Sequence, residues 1–175
     1  MLLAKLPCLD KGFVAMIDKS NNGIKLKELE HELKLGSSFH LRSLSTLTLL
    51  IKCPLFIQLN LSTYNLNIVN TGLNELEAYV PNQGEIGCPD SNISNLIARD
   101  IEQTTEALLI NPSAYAADGC DPFVSQVMCP ISTYTTIIVH GSLIEWTKYC
   151  TQSRVPHAVK SYISAVNQII DSEWR

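Results

Sequence analysis

Arginine and histidine are missing from the middle of this chain: no arginine lies between Arg42 and Arg99, and no histidine between His40 and His140. Any anion handled there must rely on lysine, amide, hydroxyl or backbone groups. Charge is sparse throughout, with 17% Asp, Glu, Lys and Arg and a net charge of −4. No basic field exists to hold a nucleic-acid polymer, whereas a single nucleotide needs only local donors. The six cysteines, at positions 8, 53, 88, 120, 129 and 150, contain no Cys-x-x-Cys pair. That leaves free thiols in a reducing compartment as the simplest reading. Long apolar runs are also lacking. Leu44 to Leu61 is interrupted by Lys52 and Pro54, so no membrane span is expected. The opening Met-Leu-Leu-Ala-Lys-Leu-Pro is too short to be a signal peptide, and a cytoplasmic setting follows as the expectation.

What is present is the composition of a folded protein, 46% hydrophobic over 175 residues, enough for one domain spanning 1–175. Gly12 to Asp18 is a short apolar run ending at Ser20-Asn21-Asn22-Gly23, a strand and its turn. Ile24 to Leu35 places Leu26, Leu29 and Leu33 on one helical face, stopped by Gly36. Leu47, Leu49 and Ile51 alternate, predicting a buried strand over 44–51, and Pro54 suits the first turn of a helix over 54–60. Residues 62–90, rich in Asn, Thr, Gly and Pro, read as a long irregular segment of the kind that carries function. Ser91 or Ser94 caps a helix through Ile110, with Ile93, Leu96, Ile97, Ile101 and Leu108 inward. Asp121-Pro122 starts a short helix, and the β-branched Ser132 to Val139 is a strand. Helices from Gly141-Ser142 to Gln152 and from Pro156 onward complete the chain, the last with Tyr162, Val166, Ile169 and Ile170 as its apolar stripe. The class is α/β or α+β.

Several blocks resemble the flavin-dependent thymidylate synthase family. Leu9-Asp10-Lys11-Gly12-Phe13-Val14 is similar to that family's opening strand, and Lys52-Cys53-Pro54-Leu55-Phe56 to the turn before its signature. Tyr64-Asn65, sixteen residues before Pro81, resembles its Tyr-Asn and Tyr-Ile-Pro pair in spacing. Val127 to Tyr134 resembles the Val-Leu-Pro strand entry. Gly141-Ser142-Leu143, Trp146 and His157-Ala158 resemble the C-terminal substrate-binding helices. The resemblance implies a mixed sheet flanked by helices, assembled as a homotetramer with FAD and dUMP between subunits, and transfer of a one-carbon unit to C5 of dUMP, giving dTMP. It places Thr63, Asn65 and His157 at the flavin, and Gln58, Gln126, Ser142 and Arg154 at the pyrimidine nucleotide. Catalysis would further require NADPH and methylenetetrahydrofolate; no residue is assigned a catalytic role.

The departures bear on charge. The family's Arg-His-Arg signature has no counterpart in the shortened Gln58–Ile68 stretch. Two further family arginines fall on Gln126 and Ser153, the latter beside Arg154, and the Gln after His-Ala is Val159. A hydrogen bond to a charged group contributes roughly 1.5–3 kcal/mol, so three lost contacts weigh roughly 4–9 kcal/mol against about 8 for micromolar binding. Two functions follow: a divergent enzyme of this family, or a non-catalytic member that binds another nucleotide or serves in an oligomer.

Each site residue also has an ordinary role. Thr63 and Asn65 suit an Asn-rich turn, Ser142 a helix cap, Gln126 a helix-surface amide, and Arg154 and His157 a solvated helix start. His140 and Cys150 lack ligand spacing, and Cys53 and Cys129 read as structural thiols. Glu75, Glu77, Glu85 and Asp90 read as a solvated edge.

Overall fold

The computed structural model describes residues 4–20, 44–86, 90–118 and 130–174. The expected helix at 24–35, the turn at 21–23 and the helix at Asp121-Pro122 lie outside these residues. Strands β1 (Ala4–Cys8) and β2 (Gly12–Ser20) form an antiparallel hairpin, with Ala4 opposite Met16 and Cys8 opposite Gly12. Leu9 turns the chain with a left-handed φ of 53°. β2 pairs antiparallel with β3 (Thr46–Pro54), Phe13 opposite Lys52 and Ser20 opposite Thr46, with a bulge between Met16 and Asp18.

Helix α1 (Leu55–Leu61), β4 (Asn67–Ala78), the short α2 (Gln83–Ile86) and α3 (Ser91–Ala117) follow. Then come β5 (Thr133–Ser142), α4 (Leu143–Cys150) and α5 (His157–Trp174). The sheet order is β1-β2-β3-β5-β4, and helices flank it, an α+β arrangement. Leu143 N donates to Ser45 O and Thr48 Oγ1 bonds His140 Nδ1, so β5 runs antiparallel to β3. Among the described residues no helix is long and apolar enough to cross a membrane.

The chain divides into two compact units. The first comprises the described parts of Met1–Cys53, Ile57–Leu73 and Thr136–Arg175; the second comprises those of Pro54–Phe56 and Asn74–Thr135. In the first, Leu47, Leu49 and Ile51 alternate into the core as predicted, joined by Met16, Ile137 and Val139. Trp146, Tyr149 and Tyr162 are fully buried there, and Trp146 Nε1 donates to Leu47 O at 3.1 Å. A buried aromatic thus keeps its polar atom paired, which burial demands. In the second unit, Asp90 Oδ1 accepts from the N–H groups of Asn92 (2.8 Å) and Ile93 (3.3 Å), closing the start of α3.

Four expectations change. Residues 62–90 are not one irregular stretch, because 67–78 form β4. Strand pairing overrides the weak local propensity of Asn, Thr and Gly. Thr71 Oγ1, for example, donates to Thr136 O of β5 at 2.7 Å. Asp90, rather than Ser91 or Ser94, caps α3, since an ionised carboxylate placed one residue earlier reaches two free amides. That helix is also rotated from the expected face: Ile93, Leu96 and Ile97 are 49%, 62% and 37% exposed, while Ser94 and Thr105 are buried. Hydroxyls that bond back into the helix make such burial cheap. β1 was not expected at all, since Pro7 reads as a breaker. On the outermost strand in the order a proline is tolerated.

Candidate functional site

Of the residues expected at the site, Gln58, Thr63 and Asn65 lie in the first unit on α1 and the turn that follows it. Helix α1 ends in a self-satisfying turn. Ser62 N donates to Gln58 O (2.9 Å), Thr63 N to Asn60 O (3.2 Å) and Tyr64 N to Leu61 O (3.1 Å). Ser62 Oγ donates to Leu59 O and Thr63 Oγ1 to Asn60 O, both at 2.7 Å. The Ser-Thr-Tyr-Asn run therefore closes the helix by pairing its last carbonyls.

This turn and its flanks meet α4 and the chain on either side of it through three contacts. The Tyr64 ring meets Tyr149 edge-on at 5.6 Å, and Asn60 Nδ2 donates to Gln152 Oε1 at 3.3 Å. The third is Leu66, whose side chain lies against Gly141, where a Cβ would overlap it. Gln152 also donates to Tyr149 O at 2.9 Å, tying the end of α4 to the turn. Ser142 caps α4, its hydroxyl accepting from Glu145 N at 3.4 Å, which is its ordinary role. Capping uses an oxygen lone pair, and the hydroxyl proton is a separate donor.

The cluster's polar atoms are neutral. Gln58 Oε1, Asn60 Oδ1 and Tyr149 OH are buried and have no hydrogen-bond partner among the described residues. A buried amide oxygen left unpaired costs about 1–3 kcal/mol, so such atoms mark places where a donor is wanted. Burial first, then the neighbouring Cys150, Cys53 and Cys8 thiols, push the Tyr149 hydroxyl far up, so it stays a protonated donor. Thr63 and Asn65 are exposed at the rim. With these groups the site can hydrogen-bond a base or sugar, but it supplies no charge.

The remaining expected residues lie elsewhere. Gln126 falls outside the described residues. Arg154 is exposed with a left-handed φ of 60°, a conformation costing a non-glycine residue about 1–2 kcal/mol. His157 opens α5 and lines a groove of about 500 Å³ with Leu6, Pro7, Lys160, Ser161, Ser164 and Gln168. None of the groove's described lining residues comes from α1 or its turn. His140 is bonded to Thr48 at 2.8 Å, and the Cys150 thiol lies 4.0 Å from Ile163 O, so the two serve different contacts.

Sequence reading missed Asn60, Tyr149 and Gln152, whose roles arise from a contact between distant segments. The polar side of α5 was legible as the complement of its apolar stripe. Compared with protein-family models and with curated proteins, the chain matches none.

Proposed function

We propose that the chain binds a pyrimidine deoxynucleotide in the manner of a flavin-dependent thymidylate synthase but does not carry out methyl transfer. The observation that supports binding is the pair of buried acceptors, Gln58 Oε1 and Asn60 Oδ1, which lack a hydrogen-bond partner among the described residues and lie on the helix that leads into Thr63 and Asn65. The uracil of dUMP offers its ring N3–H to such an oxygen, and the deoxyribose offers its 3′-hydroxyl. The same stretch argues against catalysis, because Gln58–Ile68 contains no arginine to hold a nucleotide phosphate or a flavin anion. Flavin is the cofactor this reading allows, and NADPH and methylenetetrahydrofolate have no part in it. Free Cys8, Cys53 and Cys150 suit a cytosolic setting.

The test is thermal unfolding of the full chain with dUMP, with FAD, and with both. Ligand at about 100 times its dissociation constant adds about 2.7 kcal/mol, or roughly 5–10 °C for a chain of this size. Gln58→Leu should abolish the dUMP shift. Absence of any shift with millimolar dUMP refutes binding, and dTMP formation in a turnover assay refutes the non-catalytic reading.

A second reading, self-association, is favoured by the exposed Ile93, Leu96 and Ile97 on α3. Light scattering should then report an oligomer that Leu96→Glu dissociates; a monomeric wild type removes this reading.

A further inference from the structure

Helix α5 presents two chemically distinct sides. Ala158, Val159, Tyr162, Val166 and Ile169 are buried. His157, Lys160, Ser161, Ser164 and Gln168 recur at helical spacing on the other side and line the groove. Across it stand Leu6 and Pro7 of β1. Pro7 has no N–H to donate, so this edge is not built to accept an added strand.

The wall chemistry points to an anion. Lys160 brings a positive charge, and the imidazole, hydroxyl and amide groups of His157, Ser164 and Gln168 can donate. No carboxylate occurs among the described lining residues. In a chain whose net charge is −4, a groove with a cation and no carboxylate concentrates opposite charge. The first-turn position of His157 and Lys160 adds the favourable end of the helix dipole. A neighbouring hollow of about 310 Å³ shares Pro7 and has Lys5 and Lys11, but it also has Asp10. There Lys5 sits over the Phe13 ring at 4.0 Å, which makes that hollow the poorer anion site.

We infer that the β1–α5 groove binds a phosphate-bearing small molecule, with Lys160 and His157 at the phosphate and Ser164 and Gln168 along the remainder. This site is independent of the pyrimidine cluster, which shares none of its described lining residues. Its volume suits a sugar phosphate or a mononucleotide rather than a bare ion.

The experiment titrates inorganic pyrophosphate into the ¹⁵N-labelled full chain at low ionic strength and follows amide shifts. Saturable shifts are expected on Leu6 and across 157–168. Lys160→Gln, at an exposed position, should weaken binding about tenfold or more, and Lys160→Arg should retain it. Ser164→Ala should weaken it severalfold. No shift in these amides at millimolar pyrophosphate overturns the inference, as does equal affinity of wild type and Lys160→Gln.

Discussion

Substituting Gly12 by alanine tests the closest three-way approach in the sheet. Gly12 lies opposite Cys8, and a Cβ there would stand 2.8 Å from Cys8 O and 2.9 Å from Lys52 O while overlapping the Tyr162 hydroxyl. The hydroxyl itself is fixed, donating to Lys52 O at 2.9 Å, and Tyr162 is buried in α5. Two of the three neighbours are strand backbone and cannot swing away. Overpacking of this kind costs about 1–3 kcal/mol, and displacing the hydroxyl adds about 0.5–1.5 kcal/mol for its hydrogen bond. Reduced freedom of the unfolded chain returns about 0.4–1 kcal/mol, leaving Gly12→Ala destabilising by roughly 0.5–4 kcal/mol. Urea unfolding followed by circular dichroism should therefore show a lower midpoint at unchanged slope. In a Tyr162→Phe background the worst overlap is gone, and alanine at position 12 should cost at least about 1 kcal/mol less. Equal stability of Gly12→Ala and wild type, or strictly additive effects in the double variant, would refute this account of how α5 seats on the hairpin.

Burial pushes the Cys8 thiol up from 9.0 to about 11, and the Cys150 thiol to about 12. The unfolded chain ionises first, so the stability these neutral thiols contribute is intact below pH 9 and is lost as pH rises from about 9 to 11. Thermal unfolding from pH 7 to 10.5 should show this decline, and Cys8→Ala should flatten it. Asp90→Ala removes the two capping bonds of α3 and should cost about 0.5–2 kcal/mol, read as a lower urea midpoint.

Local rules explain why part of the fold was legible. The alternation of Leu47, Leu49 and Ile51, and the β-branched run before Val139, are strand patterns whatever surrounds them. The spacing of Tyr162, Val166 and Ile169 is likewise a helix pattern. Ser142 followed three residues later by Glu145 is a helix start for the same reason. β4 was hidden because Asn, Thr and Gly favour turns until a neighbouring strand pairs with them.

The sequence by itself determined which segments have two faces and where arginine is missing, and therefore that an anion bound in the central stretch must rely on lysine, amide, hydroxyl or backbone groups. Only the tertiary structure decided which faces meet. It rotated α3 to leave Ile93, Leu96 and Ile97 outward, and set the turn after α1 on α4 with three polar atoms unpaired. It also brought the polar side of α5 opposite Leu6 and Pro7. Periodicity is a property of neighbours along the chain, whereas tertiary pairings join distant residues, such as Cys8 and Ser161 at 153 positions apart, and depend on packing that no short segment encodes.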